Sequence, residues 1–107
     1  MIIAIDFDGT CVTHDFPRVG ADIGAIPVLK KLVAKGHKLI LWTMRSDKKV
    51  LETIGDKFII NTKDTFLTDA VNWFKQNDIP LYGIQTNPTQ TQWTTSPKAY
   101  AELYIDD

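Results

Sequence analysis

The stretch IIAIDFDGT, residues 2–10, joins an apolar run to two carboxylates that stand one residue apart. The run Ile2–Ile5 is continuous and of strand length, which is typical of a central parallel strand buried on both faces. Asp6 and Asp8 follow at its carboxyl end, where open α/β sheets bind their ligands. The stretch therefore predicts both a parallel sheet and a site at one edge of that sheet.

Signals for helices and strands alternate along the rest of the chain. An apolar stripe opposite a row of lysines predicts a helix over 24–35, and Gly36 supplies a stop signal. A second helix is predicted over 67–77, and a polar loop over 85–97. Further strands are predicted at 38–42, 81–84 and 100–105. Strands separated by helices indicate a three-layer α/β architecture, a parallel sheet flanked by helices.

The segment 46–64 has two interpretations. Ser46-Asp47 is a plausible cap for a short helix that would carry Val50, Leu51 and Ile54. We favour a small β-hairpin at about 50–62, because Gly55-Asp56 suits a two-residue turn and the residues that follow it are typical of a strand.

Composition sets the outer limits on function. The chain has 107 residues, enough for a single domain spanning 1–107, and its net charge of −1 gives no reason to expect non-specific binding to nucleic acid or to a membrane. Cys11 is the single cysteine and cannot form an internal disulfide, so a cytoplasmic location is the simplest expectation. The sequence ends on Asp106-Asp107 directly after an apolar run, which is compatible with a continuation beyond residue 107.

Other strand ends bring polar groups to the edge that Asp6 occupies. Thr43 follows the second strand, Asp106 and Asp107 follow the fourth, and Lys98 starts the segment that leads into the fourth strand. We expect the carboxylates, the hydroxyl and the amine to meet in one crevice. Close carboxylates repel one another unless a cation lies between them, and oxygen ligands of this kind suit Mg²⁺. The pattern therefore predicts a magnesium site.

Four motifs in order resemble those of the haloacid dehalogenase-like (HAD) superfamily of hydrolases, in its phosphatase branch. DFDGT at 6–10 is similar to the first motif, LWT at 41–43 to the second, Lys98 to the third and YIDD at 104–107 to the fourth. The resemblance spans residues 2–107. It is strongest to the small capless members, because no insertion of domain size separates the motifs, and it implies a Rossmann-like, HAD-like core without a cap domain.

The resemblance implies catalytic roles for four residues. Asp6 would be the nucleophile that forms an aspartyl-phosphate, and Asp8 would be the general acid that later activates water. Thr43 would hold the phosphoryl group, and Lys98 would neutralise its charge. The implied substrate-binding residues are Gly9, Thr43, Met44, Arg45 and Lys98. The implied Mg²⁺ ligands are Asp6, Asp8 through its backbone carbonyl, and Asp106 or Asp107.

Two residues near these motifs keep more than one interpretation. Arg45, two residues after Thr43, either clamps a second substrate anion or is a surface charge. Trp93, in the polar loop, is a substrate platform, a subunit contact or a local packing residue. Trp42 and Trp73 are expected in the core, and Cys11 is expected to be a small buried apolar residue rather than a reactive thiol.

The leading functional hypothesis is a Mg²⁺-dependent phosphatase that hydrolyses a phosphate monoester through Asp6. A capless site is open, so we expect a phosphorylated small molecule or polymer end as substrate, with nucleic acid only in that role, and a self-associating protein. One alternative is a phospho-acceptor signalling module, although receiver domains place the acceptor after the third strand. Another is a catalytically silent metal-binding module, since one scaffold hosts many functions.

Overall fold

The computed structural model describes residues 1–106, with the exception of the side chains at 49–52, 54 and 59–63. Two helices and six strands follow one another along the chain. The helices are α1 (Ala25–Ala34) and α2 (Phe66–Gln76). The strands are β1 (Ile2–Ile5), β2 (Lys38–Leu41), β3 (Asp47–Ile54), β4 (Lys57–Thr65), β5 (Gly83–Ile84) and β6 (Leu103–Ile105). A short 3₁₀ turn spans Gln90–Gln92.

Four of the strands form one parallel sheet in the order β5-β2-β1-β6. Ile5, the last residue of β1, pairs with Leu41 of β2 and with Ile105 of β6. Because these three strands end level with one another, the residues that follow them meet at a single edge. The predicted parallel α/β sheet is confirmed, and so is its central first strand.

Both helices contribute to one hydrophobic core on one face of the sheet. Leu29 of α1 and Phe74 of α2 join a buried cluster with alternate residues of the two central strands, namely Ile3, Ile5, Leu39 and Leu41. This alternation is expected because successive side chains of a strand point to opposite faces. Among the described residues, no helix has the length and apolarity needed to cross a membrane.

The opposite face of the sheet is covered by the segment between β5 and β6. Ala4 is buried there, and Tyr104 pairs with Ala4, so the two side chains share a face. The Tyr104 hydroxyl donates a hydrogen bond to the carbonyl of Ala99, which places residues 98–101 on this face. A right-handed connection from β5 across β2 and β1 to β6 requires that placement.

Two buried amide side chains hold this covering segment together. Gln90 donates to the carbonyls of Ser96 (3.0 Å) and Lys98 (2.7 Å) and accepts from the Tyr100 N–H (2.6 Å). Asn87 donates to the Tyr100 carbonyl at 3.1 Å. The segment is polar and has no apolar helical repeat, so within the described residues it forms a loop with a single 3₁₀ turn. The structure therefore does not confirm the three-layer part of the prediction, because a loop takes the place of a helix on this face.

The segment 47–65 is a β-hairpin, which confirms the favoured interpretation, and the short-helix interpretation is wrong. The arms β3 and β4 are antiparallel, with Ile54 paired to Lys57 across the turn at Gly55-Asp56. The hairpin is longer than the predicted 50–62 because pairing continues to Asp47 and Thr65. It forms its own two-stranded sheet, separate from the parallel sheet.

The base of the hairpin is fixed to α2. The Asp47 carboxylate accepts hydrogen bonds from the Thr68 N–H (3.0 Å) and the Thr68 hydroxyl (2.5 Å). Thr65, at the N-cap position, makes no side-chain cap. Asp47 therefore satisfies a first-turn N–H of α2 from a position 21 residues before Thr68, a role that local sequence cannot reveal.

The later strands are shorter than predicted. β5 covers Gly83–Ile84 rather than 81–84, and β6 covers Leu103–Ile105 rather than 100–105. For β6 the reason is visible, because the N–H and the carbonyl of Tyr100 are both taken by the amides of Gln90 and Asn87. Those bonds hold Tyr100 in the covering loop and keep it out of the sheet.

Candidate active site

A cleft of about 620 Å³ opens at the carboxyl edge of the parallel sheet. It brings together four of the predicted site residues and two that were not predicted to belong to a site. Its lining consists of Asp6, Trp42, Thr43, Met44, Gln85 and Asp106. Trp42, expected in the core, is half-buried and forms part of this wall.

Asp6 and Asp106 enter the cleft from neighbouring strands. The Asp6 N–H donates to the Ile105 carbonyl at 2.9 Å, which extends the β1–β6 ladder by one bond beyond the last strand residues. The two acids therefore stand side by side at the ends of adjacent parallel strands. Two adjacent carboxylates in one cleft make a strongly acidic site, which favours a cation between them.

Thr43 is held in the cleft wall by Gln85, a residue that the sequence analysis missed. The Gln85 side-chain amide accepts the Thr43 N–H at 2.9 Å and donates to the Thr43 carbonyl, so it replaces a neighbouring strand. It also donates to the Arg45 carbonyl at 3.3 Å. A signal was available in the sequence, because Gln85 directly follows the strand predicted at 81–84, which is β5 in the structure. It therefore belongs to the same edge of the sheet as Asp6.

The Thr43 hydroxyl orders the turn that follows it. Its oxygen accepts the Arg45 N–H at 3.2 Å. The hydroxyl is thus fixed at the cleft wall and can donate to a bound anion. Met44 lies between Thr43 and Arg45 in the sequence and is 98% exposed, so its side chain stands at the mouth of the cleft.

Asp8 turns toward Arg45, and the two side chains form a bidentate ion pair in which Arg45 is buried and Asp8 is partly exposed. Arg45 Nε donates to Asp8 Oδ2 and Nη2 donates to Asp8 Oδ1, both at 2.7 Å. The remaining guanidinium protons go to the carbonyls of Pro17 (3.4 Å), Phe66 (3.1 Å) and Arg18 (2.8 Å). A guanidinium has five N–H donors, and this arrangement uses all of them.

This environment corrects both sequence interpretations of Arg45. The residue is 3% exposed and is not a surface charge. With every N–H engaged it has no donor for a substrate anion, so the predicted substrate-binding role does not fit its placement. The guanidinium also lies 5.1 Å from the ring centres of Phe7 and Phe16, which adds cation–π attraction to the ion pair.

Of the carboxylates predicted to bind Mg²⁺, those of Asp6 and Asp106 line the cleft. Among the described residues, no three His, Cys, Asp or Glu side chains are grouped to hold a metal. The Asp8 carboxylate is instead paired with Arg45. Mg²⁺ commonly takes one or two carboxylates together with waters and substrate phosphate, a requirement that Asp6 and Asp106 meet. Asp107 lies outside the described residues.

Lys98 lies apart from this cleft. Its ammonium stands 5.2 Å from the ring centre of Tyr104, and it lines a separate cavity of about 340 Å³ on the loop-covered face of the sheet. Trp93 lines the same cavity and packs edge-on against Tyr100, with ring centres 5.6 Å apart. The structure therefore does not bring Lys98 together with Asp6, and its catalytic role stays a prediction.

The turn after Asp8 is tight and well anchored. Gly9 has a φ of 81°, which favours glycine, and its N–H donates to the Val12 carbonyl at 2.7 Å. Cys11 is fully buried beneath this turn, as expected, and its Sγ donates to the Asp6 carbonyl at 3.3 Å. Burial, together with the negative charges of nearby aspartates, raises the pKa of the Cys11 thiol to about 12.

Fold and cleft together define an α/β protein with an acidic site at the carboxyl edge of a parallel sheet. No family model and no curated protein matches the chain. A solved structure does match: that of a conserved protein from Bacteroides thetaiotaomicron, at 33% identity and a TM-score of 0.77, over 100% of this chain and 75% of that one. The chain belongs to the same family as that conserved protein.

Proposed function

We propose that this protein is a Mg²⁺-dependent phosphatase with a capless HAD-like core, which hydrolyses a phosphate monoester through Asp6. The observation that carries the proposal is the shared cleft of Asp6, Asp106 and Thr43 at the carboxyl edge of the parallel sheet. Core packing does not require this combination, whereas phosphoryl transfer uses each member of it. The order of the motifs along the chain gives additional support.

The proposed chemistry is the one that the motif resemblance implies for these residues. An Asp6 carboxylate oxygen attacks phosphorus, the bond to the leaving oxygen breaks, and that oxygen takes a proton from Asp8. Water then attacks the aspartyl-phosphate and returns a proton to Asp8, which restores both carboxyl groups and releases inorganic phosphate. The Thr43 hydroxyl donates to a phosphoryl oxygen throughout.

A divalent cation completes the site. Asp6 and Asp106 would hold it with the Asp8 backbone carbonyl, and when bound it would neutralise phosphate charge that otherwise repels the Asp6 nucleophile. The open cleft accepts a phosphorylated small molecule or the phosphorylated end of a polymer.

Hydrolysis of para-nitrophenyl phosphate tests the proposal. We expect turnover with Mg²⁺, loss of it with chelator, and loss in Asp6→Asn. The matched control is Asp56→Asn at the exposed tip of the hairpin, where the same change leaves the cleft intact. Wild-type protein that releases no phosphate from any of a panel of phosphorylated metabolites, nucleotides and oligonucleotide ends would contradict the proposal.

Acid-quenched labelling with acetyl phosphate separates the alternatives. A phosphatase gives a transient label on Asp6 and multiple turnovers. A phospho-acceptor module gives a stable stoichiometric label without turnover, and a silent metal-binding module gives neither.

A further inference from the structure

We propose that Arg45 is a positioning residue for the acid–base group: it fixes the orientation of the Asp8 carboxylate, and it acts on catalysis only through Asp8. This inference rests on the proposed phosphatase function and adds a residue to it. Three features of the structure carry it, namely the bidentate pair, the complete use of the guanidinium and the identity of the segments that Arg45 joins.

The first feature is the geometry of the pair. Two parallel bonds of 2.7 Å, from Nε and Nη2, set both the distance and the plane of the Asp8 carboxylate. A carboxylate has about four lone-pair sites, and the pair uses two of them. The other two remain for a proton shared with the leaving oxygen or with water, so Asp8 can work while it is held.

The second feature is that Arg45 is itself held rigidly. Its other three N–H bonds go to backbone carbonyls, and its Cζ lies 5.1 Å from the ring centres of both Phe7 and Phe16. A lysine has a single ammonium that cannot reproduce the planar fork. An acid–base group needs such support, because small errors in its placement reduce catalysis strongly.

The third feature is the set of segments that meet at Arg45. Pro17 and Arg18 belong to the loop after the nucleophile motif, and Phe66 begins α2 at the foot of the hairpin. Phe16 and Phe66 also pack against each other, with ring centres 5.0 Å apart. The orientation of Asp8 is thus set by loop and hairpin foot together, although neither lines the cleft.

A double-mutant cycle on Asp8 and Arg45 tests the inference, with a leaving-group series as its readout. Losing an acid–base group typically costs about 10²–10⁴-fold in rate. We expect Asp8→Asn to lose this in kcat/KM with an alkyl phosphate and much less with para-nitrophenyl phosphate, whose leaving group needs little protonation. The comparison uses kcat/KM because the later attack of water on the aspartyl-phosphate is common to all leaving groups. Arg45→Met should lose at least about tenfold with the same leaving-group dependence, because its effect passes through Asp8.

The double variant decides the question. If Arg45 acts only through Asp8, Asp8→Asn/Arg45→Met is within about threefold of Asp8→Asn alone, since coupled residues are not additive. Multiplicative losses, or an Arg45→Met loss that is equal for all leaving groups, would overturn the inference and leave the phosphatase proposal standing. An inactive wild-type protein would instead overturn the phosphatase proposal.

Further variants separate positioning from folding. Arg45→Lys keeps a positive charge without the fork, and we expect it to show the leaving-group dependence of Arg45→Met; wild-type behaviour in this variant would count against positioning. Arg18→Met is the matched control, because Arg18 contacts Arg45 through its backbone carbonyl while its side chain is exposed. Each variant is assayed below its own measured unfolding temperature, so a loss of folded protein is not read as a loss of rate.

Discussion

At the scale of single residues, Phe7 anchors the DFDGT motif to the core. Its ring is fully buried and packs edge-on against Trp73, with ring centres 5.5 Å apart, and against Phe74 at 6.0 Å. Because neighbours along an extended chain alternate in direction, Asp6 points away from the core and lines the cleft. Asp8 turns instead to the buried Arg45.

The types and order of the residues were enough to predict part of the site, whereas the remaining part depends on tertiary contacts that the sequence does not show. Asp6, Thr43 and Asp106 follow strands, so the edge at which they meet could be predicted from the pattern of strands alone. The orientation of the Asp8 carboxylate could not be predicted, because it depends on a buried Arg45 whose partners come from three separate segments. Sequence gives the charge of such a residue but not its burial.

Cys11 leads to a prediction on reactivity and pH. Burial holds its thiol pKa near 12 against an ordinary value of 9.0. At pH 7.5 we expect no reaction of the native protein with a disulfide reagent such as Ellman's reagent, and reaction of one thiol per chain in urea. A native protein that reacts as fast as the unfolded chain would contradict the burial.

The raised pKa of the Cys11 thiol also makes the free energy of unfolding depend on pH. The folded-state pKa is raised, so the contribution of the thiol is fully present below pH 9 and is lost as the pH rises toward 12, where the unfolded chain releases its proton first. The free energy of unfolding should therefore fall over this range more steeply in the wild type than in Cys11→Ala. Taking the difference between the two proteins removes the titration of lysines and tyrosines.

At the scale of elements, local signals predicted the helices best. α1 and α2 lie within one residue of the predicted 24–35 and 67–77 at each end, because an apolar stripe and a stop signal are local features. β6 was predicted three residues too long, since Tyr100 belongs to a loop fixed by distant amides. Pairing partners that lie far along the chain decide where such strands begin.

The hairpin and α2 are linked by a cap that can be tested directly. Asp47→Ala removes the acceptor for the Thr68 N–H and hydroxyl, and loss of a helix cap typically costs about 0.5–2 kcal/mol in the free energy of unfolding. Asp47→Asn, which keeps one acceptor oxygen, should cost less. Urea denaturation measures both, and an unchanged midpoint in Asp47→Ala would show that the cap is dispensable.

At the scale of the whole molecule, the cleft lies between strands that come from opposite ends of the sequence. Asp6 follows the first strand and Asp106 follows the last, so the site exists only in the folded chain. A ligand that binds only this state must stabilise it, by about 2.7 kcal/mol when its concentration is 100 times its dissociation constant.

This linkage predicts a thermal shift that does not depend on turnover. We expect MgCl₂ with inorganic phosphate to raise the unfolding temperature of the wild type and of Asp56→Asn. The rise should disappear in Asp106→Asn, which removes one of the two carboxylates on the cation. An equal rise in Asp106→Asn would place the cation elsewhere on the molecule.

The two faces of the parallel sheet are covered differently, and we expect the loop-covered face to have the lower local stability. Helices close one face, whereas the other is closed by a loop that depends on the Asn87 and Gln90 amides. Local opening releases the least stable contacts first. Hydrogen–deuterium exchange should therefore be faster in residues 85–101 than in β1 and β2, and uniform protection would contradict this. Displacement of that loop exposes the apolar side chains of Ala4 and Ile40. Local opening on this side, rather than global unfolding, would therefore be the first route by which the chain aggregates.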